Sequence, residues 1–184
     1  MKKVFSLSCL FVLLSACALH SLDSVKEELA SMVEADQRAR HKLTNNTYEI
    51  DVLHTERLKK ILAVHEWMTI STFGEKADSD AWLLAQHADH DPAFQESCLR
   101  ILERLVPLGE TSKRHYAYLY DRVALKSEGG KQKYGTQARI QGDQFELCPV
   151  EGSLRDVNER RREMGLETVE EYLKELKQFY KSDA

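Results

Sequence analysis

His87 is the residue best equipped for chemistry in this sequence, because the run Gln86-His87-Ala88-Asp89 places an imidazole and a carboxylate within one turn of chain. A neutral imidazole accepts a proton near neutral pH, and a neighbouring carboxylate fixes which ring nitrogen is free to do so. Asp89 and the more distant Asp121 are the candidate partners. His87 also follows Leu83 and Leu84 by about one helical turn, which puts it on the packed side or its margin. A core histidine that ties this turn to the next helix therefore accounts for the same residues. Asp121 and Arg122 are adjacent and so point apart on a helix. Asp121 is then free to meet His87, and the planar fork of Arg122 suits a ligand carboxylate or phosphate. A structural ion pair between two helices is the alternative.

The second chemical stretch is Gln132-Lys133-Tyr134-Gly135-Thr136-Gln137. Gly135 permits a tight turn or a close backbone approach. Gln132, Tyr134, Thr136 and Gln137 supply amides, a phenol and a hydroxyl, a set suited to holding a polar molecule without altering it. Gln86, Arg122 and Arg160 complete the candidate ligand-binding set. The competing reading is a hairpin approach whose side chains satisfy buried backbone groups. Arg160-Arg161-Arg162 alternates with Glu159 and Glu163, as a solvated helix face does.

Other chemistries find little support. There is no nucleophile elbow and no glycine-rich phosphate loop. His87, Asp89, His90 and Asp91 are metal-ligand types, but Asp91 precedes Pro92 and is better used as a helix cap. No metal site and no cofactor are expected. Trp67 and Trp82 are read as core packing rather than a ligand floor.

These groups need helices to position them. Val25, Leu29, Met32 and Val33 share a stripe that predicts a helix over 25–43, and Leu58, Ile61, Leu62 and His65 mark a second. Asp78-Ser79-Asp80 reads as the cap of a short helix over 81–89. Asp91-Pro92 opens a helix with Phe94, Cys98, Ile101, Leu102 and Leu105 on one face, stopped by Gly109. Another runs over 110–125, and two close the chain at 154–164 and 169–180. Between them, 136–141 and 144–149 read as strands joined by Gly142-Asp143. The fold class is therefore mainly α: one helical-bundle domain with a single small β-hairpin that must pack on helices.

The ordered clusters Gln86-His87-Ala88-Asp89, Asp121-Arg122, Gln132 to Gln137, and Arg160-Arg161 with Gly165-Leu166 and Tyr172 resemble a bacterial family known as domain of unknown function 6624. The resemblance covers about residues 36–172. It implies one domain and brings no activity, substrate or site assignment.

The N-terminus carries a different message. Lys2 and Lys3 precede a short apolar run ending in Leu14-Ser15-Ala16-Cys17, too short to span a bilayer, which takes about 20 residues. This looks like a lipoprotein signal over 1–16, with Cys17 as the acylated first mature residue, a tether over 17–24 and a single domain over 25–184. Ala18, rather than Asp, follows Cys17, which favours the periplasmic face of the outer membrane in a Gram-negative cell. Losing Lys2 and Lys3 takes the net charge from −4 to about −6. Such a chain has no electrostatic reason to bind nucleic acid. Cys98 and Cys148 remain, and in an oxidising envelope they are candidates for a disulfide, or else two buried apolar residues. The expected partners are the membrane, through the lipid on Cys17, and a small polar ligand or an envelope protein. Two functions stay open: a lipid-anchored binding or interaction module with a polar pocket, and a periplasmic hydrolase-like acid/base enzyme using His87 with Asp121 or Asp89.

Overall fold

No glycine or proline occurs before Gly74, so the first two helices contain no residue with a strong intrinsic penalty against helix. Accordingly α1 runs uninterrupted over Leu7–His41. The computed structural model describes residues 7–41, 47–141 and 144–182, excepting the side chains of 7–21, 141 and 180–182. Residues 17–24, expected as a tether, are helical and continuous with α1. Lys2, Lys3 and the Cys17 side chain lie outside the described residues. Among the described residues no helix is long and apolar enough to cross a membrane.

Helix α2 spans Thr47–His65, and Glu66, at φ 59°, turns the chain out of it. The one-turn helix α3, Ile70–Phe73, ends at Gly74, whose φ of 85° also begins α4, Glu75–Gln86. The expected caps Asp78 and Asp80 thus lie inside α4 instead of before it. Both are buried: the Asp78 carboxylate serves Trp67, Thr111, Ser112 and His115 on other parts of the chain, and Asp80 pairs with Lys76 one turn back on α4. His87 closes α4 two residues earlier than expected.

Asp91 does cap α5, Pro92–Leu105, by accepting from the Phe94 N–H, with Pro92 in the first turn. A 3₁₀ turn over Val106–Leu108 then reaches Gly109 in the left-handed region. Helix α6 covers Lys113–Ala124 and is capped by Ser112. Strands β1, Ala138–Gln141, and β2, Gln144–Leu147, pair antiparallel with Ala138 opposite Leu147 and Ile140 opposite Phe145. Their expected joint, Gly142-Asp143, lies outside the described residues. The strands are shorter than the sequence suggests because Thr136 and Gln137 give their N–H groups to Asp121 and Gln132 instead of to a ladder. Helices α7, Leu154–Glu163, and α8, Val169–Ser182, complete the chain, and α8 covers β2.

The architecture is mainly α with one minor hairpin. Leu29 and Met32 of α1, Leu58 and Ile61 of α2, Leu84 of α4, Leu102 of α5 and Leu119 of α6 meet in one core with Trp67. A smaller cluster of Ala117, Tyr134 and Leu166 joins the 132–137 segment to the C-terminal helices. Cys98 is buried in the main core and Cys148 is half-buried beside the hairpin, and both thiols are free, the second of the two arrangements their sequence left open for Cys98. Each cysteine is instead held by its own surroundings, and burial pushes the Cys98 thiol up to about 12.

Candidate functional site

Helix α1 ends beside the C-terminus of α4, and this junction brings His87 to Asp36. His87 Nδ1 lies 3.0 Å from Asp36 Oδ1. The partner is thus neither Asp89 nor Asp121. The Asp36 carboxylate is 1 % exposed, and one turn further along α1 Arg40 donates to both its oxygens through Nε and Nη2. Gln37 donates to Oδ2 at 2.8 Å. Burial alone would raise this carboxyl, but the bonds from His87 and Arg40, with their charges, hold it far below the usual carboxylate range.

Arg40 Nη2 also reaches Asp51 of α2. Burial raises Asp51 above the usual range even against that guanidinium. Two neighbouring carboxyls are therefore shifted in opposite directions, Asp36 downward and Asp51 upward, the arrangement that separates acid from base. His54, one turn along from Asp51, is pushed toward its neutral form by burial. Its Nδ1 is buried and has no hydrogen-bond partner among the described residues. Asp36, Asp51 and His87 each bring a ligand atom to within 4.8 Å of the others.

The opposite side of the 87–91 turn is an ion-pair clamp. Arg122 of α6 grips Asp89 through Nε, at 3.0 Å, and Nη2, while its Nη1 donates to Gln137 Oε1 at 2.9 Å. Lys126 adds a bond to Asp89 at 2.8 Å. Burial opposes ionisation of Asp89, yet Arg122 and Lys126 bring it down to about 2. The bidentate fork expected to hold a ligand anion holds an internal carboxylate.

Asp121, on the same helix, is fully buried and accepts from the N–H groups of Lys133, Tyr134 and Thr136 and from the Thr136 hydroxyl. Burial still raises its carboxyl above the usual range. Gln132 is fully buried as well; its amide donates to the carbonyls of Gln137 and Cys148 and accepts from Gln137 N–H at 2.6 Å. Arg160 donates to the carbonyls of Lys133 and Glu151. Arg161, fully buried, donates to those of Tyr134 and Gly135. The Tyr172 hydroxyl donates to the Thr136 carbonyl at 2.7 Å. Segment 132–137 is thus ordered by side chains from α6, α7 and α8. Gln86 and Gln137 both approach the Tyr118 carbonyl, at 3.5 Å, which links the residue before His87 to this segment.

A second histidine–carboxylate pair was not legible in the sequence. His115 Nδ1 lies 2.9 Å from Asp78 Oδ2, and the ring stacks on Trp82 with centroids 4.5 Å apart. Asp78 also accepts from Trp67 Nε1 and the Thr111 hydroxyl, each at 2.7 Å, and from Ser112 N–H. Burial opposes its charge, and His115, Trp67 and Thr111 overcome that and lower it. A cavity of about 360 Å³ lies alongside, lined by Ile70, Ser79, Ser112 and His115. Asp78 joins the chain before α3 to α4 and α6, whereas His87 is surrounded by further titratable groups. His87, Asp36, Asp51 and His54 are therefore the chemically richer set.

Sequence reasoning missed Asp36, Arg40, Asp51 and His54. The four-residue spacing of Asp36 and Arg40 and the three-residue spacing of Asp51 and His54 were the available signals, since each puts two functional groups on one helical face.

A mainly helical domain with a buried charge cluster at the α1–α2–α4 junction is the class that fold and site define. Residues 23–183 match the model of a family of unknown function (DUF6624), and the chain belongs to that family. No curated protein and no solved structure matches the chain.

Proposed function

We propose that this protein is a hydrolase-like acid/base enzyme in which His87 is the base and Asp36 orients it. The observation that carries this reading is the 3.0 Å contact between His87 Nδ1 and a buried, ionised Asp36. With Nδ1–H committed to the carboxylate, Nε2 is the nitrogen that takes a proton from water or a substrate hydroxyl. His87 keeps 17 % of its side chain exposed, so the ring is not sealed in the core. Asp51, whose carboxyl burial raises above the usual range, stands beside the pair as the complementary acid.

The reading extends to location. The lipobox-like Leu14 to Cys17 supports a lipid on Cys17 and residence in the cell envelope, facing the periplasm. Loss of labelled palmitate from Cys17→Ser in whole cells would be the supporting result; full labelling of that variant would reject it.

The enzymatic test uses the full chain in detergent with p-nitrophenyl acetate, p-nitrophenyl phosphate and p-nitrophenyl glycosides. Turnover of one of these that falls about 100-fold or more in His87→Asn supports the proposal. Equal turnover in that variant, or no turnover of any probe, overturns it. The binding-module reading stands second. It is favoured by Gln86, whose Oε1 is buried without a hydrogen-bond partner among the described residues, and weakened by the internal bonds that occupy Arg122, Gln132, Thr136, Gln137 and Arg160.

A further inference from the structure

We infer that Asp36, Asp51 and His87 form a binding site for a divalent transition-metal ion, with Arg40 standing in for the ion's charge when none is bound. The inference uses the same His87–Asp36 pair as the acid/base reading but goes beyond it, because an ion held by Nδ1 would take the place of the proton that this nitrogen shares with Asp36.

Three observations support the site. The donors come from three separate helices, α1, α2 and the end of α4, so core packing rather than a flexible loop sets their spacing. Their ligand atoms lie within 4.8 Å of one another, and His87 Nδ1 and Asp36 Oδ1 are 3.0 Å apart. Ligands about 2.1 Å from a shared ion stand roughly 3–4 Å from each other, so only a small contraction separates this geometry from coordination. The donor set, two carboxylate oxygens and an imidazole nitrogen, suits zinc or manganese rather than calcium.

The third observation is independent of these donors. Among the described residues, His54 Nδ1 is buried and finds no hydrogen-bond partner. It stands on α2 one turn along from Asp51, on the face that carries the cluster. The charges of Asp36 and Arg40 act on this ring, but it is not one of the donors whose ligand atoms lie within 4.8 Å of one another, so it borders the site and is not a fourth ligand.

Arg40 defines how the site is held in the absence of metal. Its Nη2 touches both Asp36 and Asp51, between the two charges that an ion would bridge. It lies in the last turn of α1 with a third of its side chain exposed, which leaves it a path to solvent. No short-range motif announces the donor set, because positions 36, 51 and 87 are scattered along the chain.

The test uses the full chain in detergent, stripped with a chelator and titrated with Zn²⁺ by calorimetry and with Co²⁺ by visible absorbance. The expected result is saturable binding of one ion per chain with cobalt d–d bands. Asp51→Asn should weaken binding about tenfold or more, and Arg40→Gln should strengthen it by a similar factor. Asp51 is the most accessible of the two carboxylates, and thermal unfolding in chelator shows that each variant is folded. Absence of saturable binding in both wild type and Arg40→Gln overturns the inference, as does unchanged affinity in a folded Asp51→Asn. Chelator-resistant hydrolysis that still needs His87 rejects the cation and leaves the acid/base reading standing. Ion binding without hydrolysis of any probe does the reverse.

Discussion

His87 and Asp36 meet across 51 positions of sequence, one at the C-terminus of α4 and the other 1 % exposed on α1. Their contact fixes the imidazole and at the same time locks the ends of two helices together. Asp36 also receives Arg40 and Gln37, so its removal strands several donors at once. Asp36→Ala should cost about 3 kcal/mol of unfolding free energy, because breaking a buried charge pair leaves uncompensated groups behind. Chemical denaturation of wild type and variant measures this, and a change below about 1 kcal/mol would show that the junction is not held by this carboxylate.

Asp121 and Asp89 sit within one fold and should answer mutation very differently. Asp121→Ala leaves the N–H groups of Lys133, Tyr134 and Thr136 without their acceptor in a buried place, at a cost of about 3 kcal/mol or more. Arg122→Ala breaks an ion pair whose Asp89 side is 45 % exposed, and solvent screening limits the loss to about 1 kcal/mol. Equal losses in the two variants would contradict the burial difference between them.

Acid should unfold the protein through its depressed carboxyls. Burial opposes ionisation of Asp36 and Asp89, but their cationic and hydrogen-bonding partners hold Asp36 far below the usual range and Asp89 at about 2. The unfolded chain, with Asp near 3.9, takes up protons first on acidification. Their stabilising contribution is therefore complete above about pH 5 and is lost as the pH falls through about 4 toward 2. Thermal midpoints measured across that interval should fall steeply, and less steeply in Asp89→Asn.

Gly135 is confined twice over. Its φ is 62°, and a Cβ added there would lie 3.2 Å from Val157 Cγ1 and 3.5 Å from Val169 Cγ2. Gly135→Ala should cost about 2 kcal/mol, roughly half from backbone conformation and half from the pressed valines. Gly165→Ala, at φ 67° with open space around the new carbon, should cost about 1 kcal/mol, the conformational part alone. Unfolding midpoints of the two variants, compared side by side, separate the two contributions.

Thiol chemistry distinguishes the cysteines. Cys148, half-buried, should react with an alkylating reagent in the folded protein while Cys98, buried and with its thiol pushed up to about 12, stays protected until unfolding. Mass spectrometry of the alkylated protein reports both positions. A bridged peptide joining Cys98 to Cys148 would contradict the free thiols.

What was legible in the sequence was local. Asp91-Pro92 and Gly109 mark the ends of α5 and its 3₁₀ extension because capping and left-handed turns are decided within a few residues. The hairpin register follows from alternation over a few positions. Asp78 shows where local reasoning fails. Its place before an apolar stretch looks like a cap, yet Trp67, Thr111 and His115 claim its carboxylate, and none of these contacts leaves a trace in spacing. The partner of His87 was misassigned for the same reason: Asp89 is near in sequence, but Arg122 takes it, and the free carboxylate arrives from α1. Arg122 and Gln137, expected beside a ligand, meet each other.

The side chains that hold segment 132–137 impose an order on biosynthesis. Asp121 precedes the segment, but Arg161 and Tyr172, which secure the carbonyls of Tyr134, Gly135 and Thr136, follow it by two dozen residues or more. As the chain emerges N-terminus first, the α1–α6 core can assemble while this arm still lacks its clasps. The arm closes only after residue 172 has appeared, so the C-terminal helices act as the final fastening of a chain that is otherwise already folded, and an early stop would leave a stable core with an open flank.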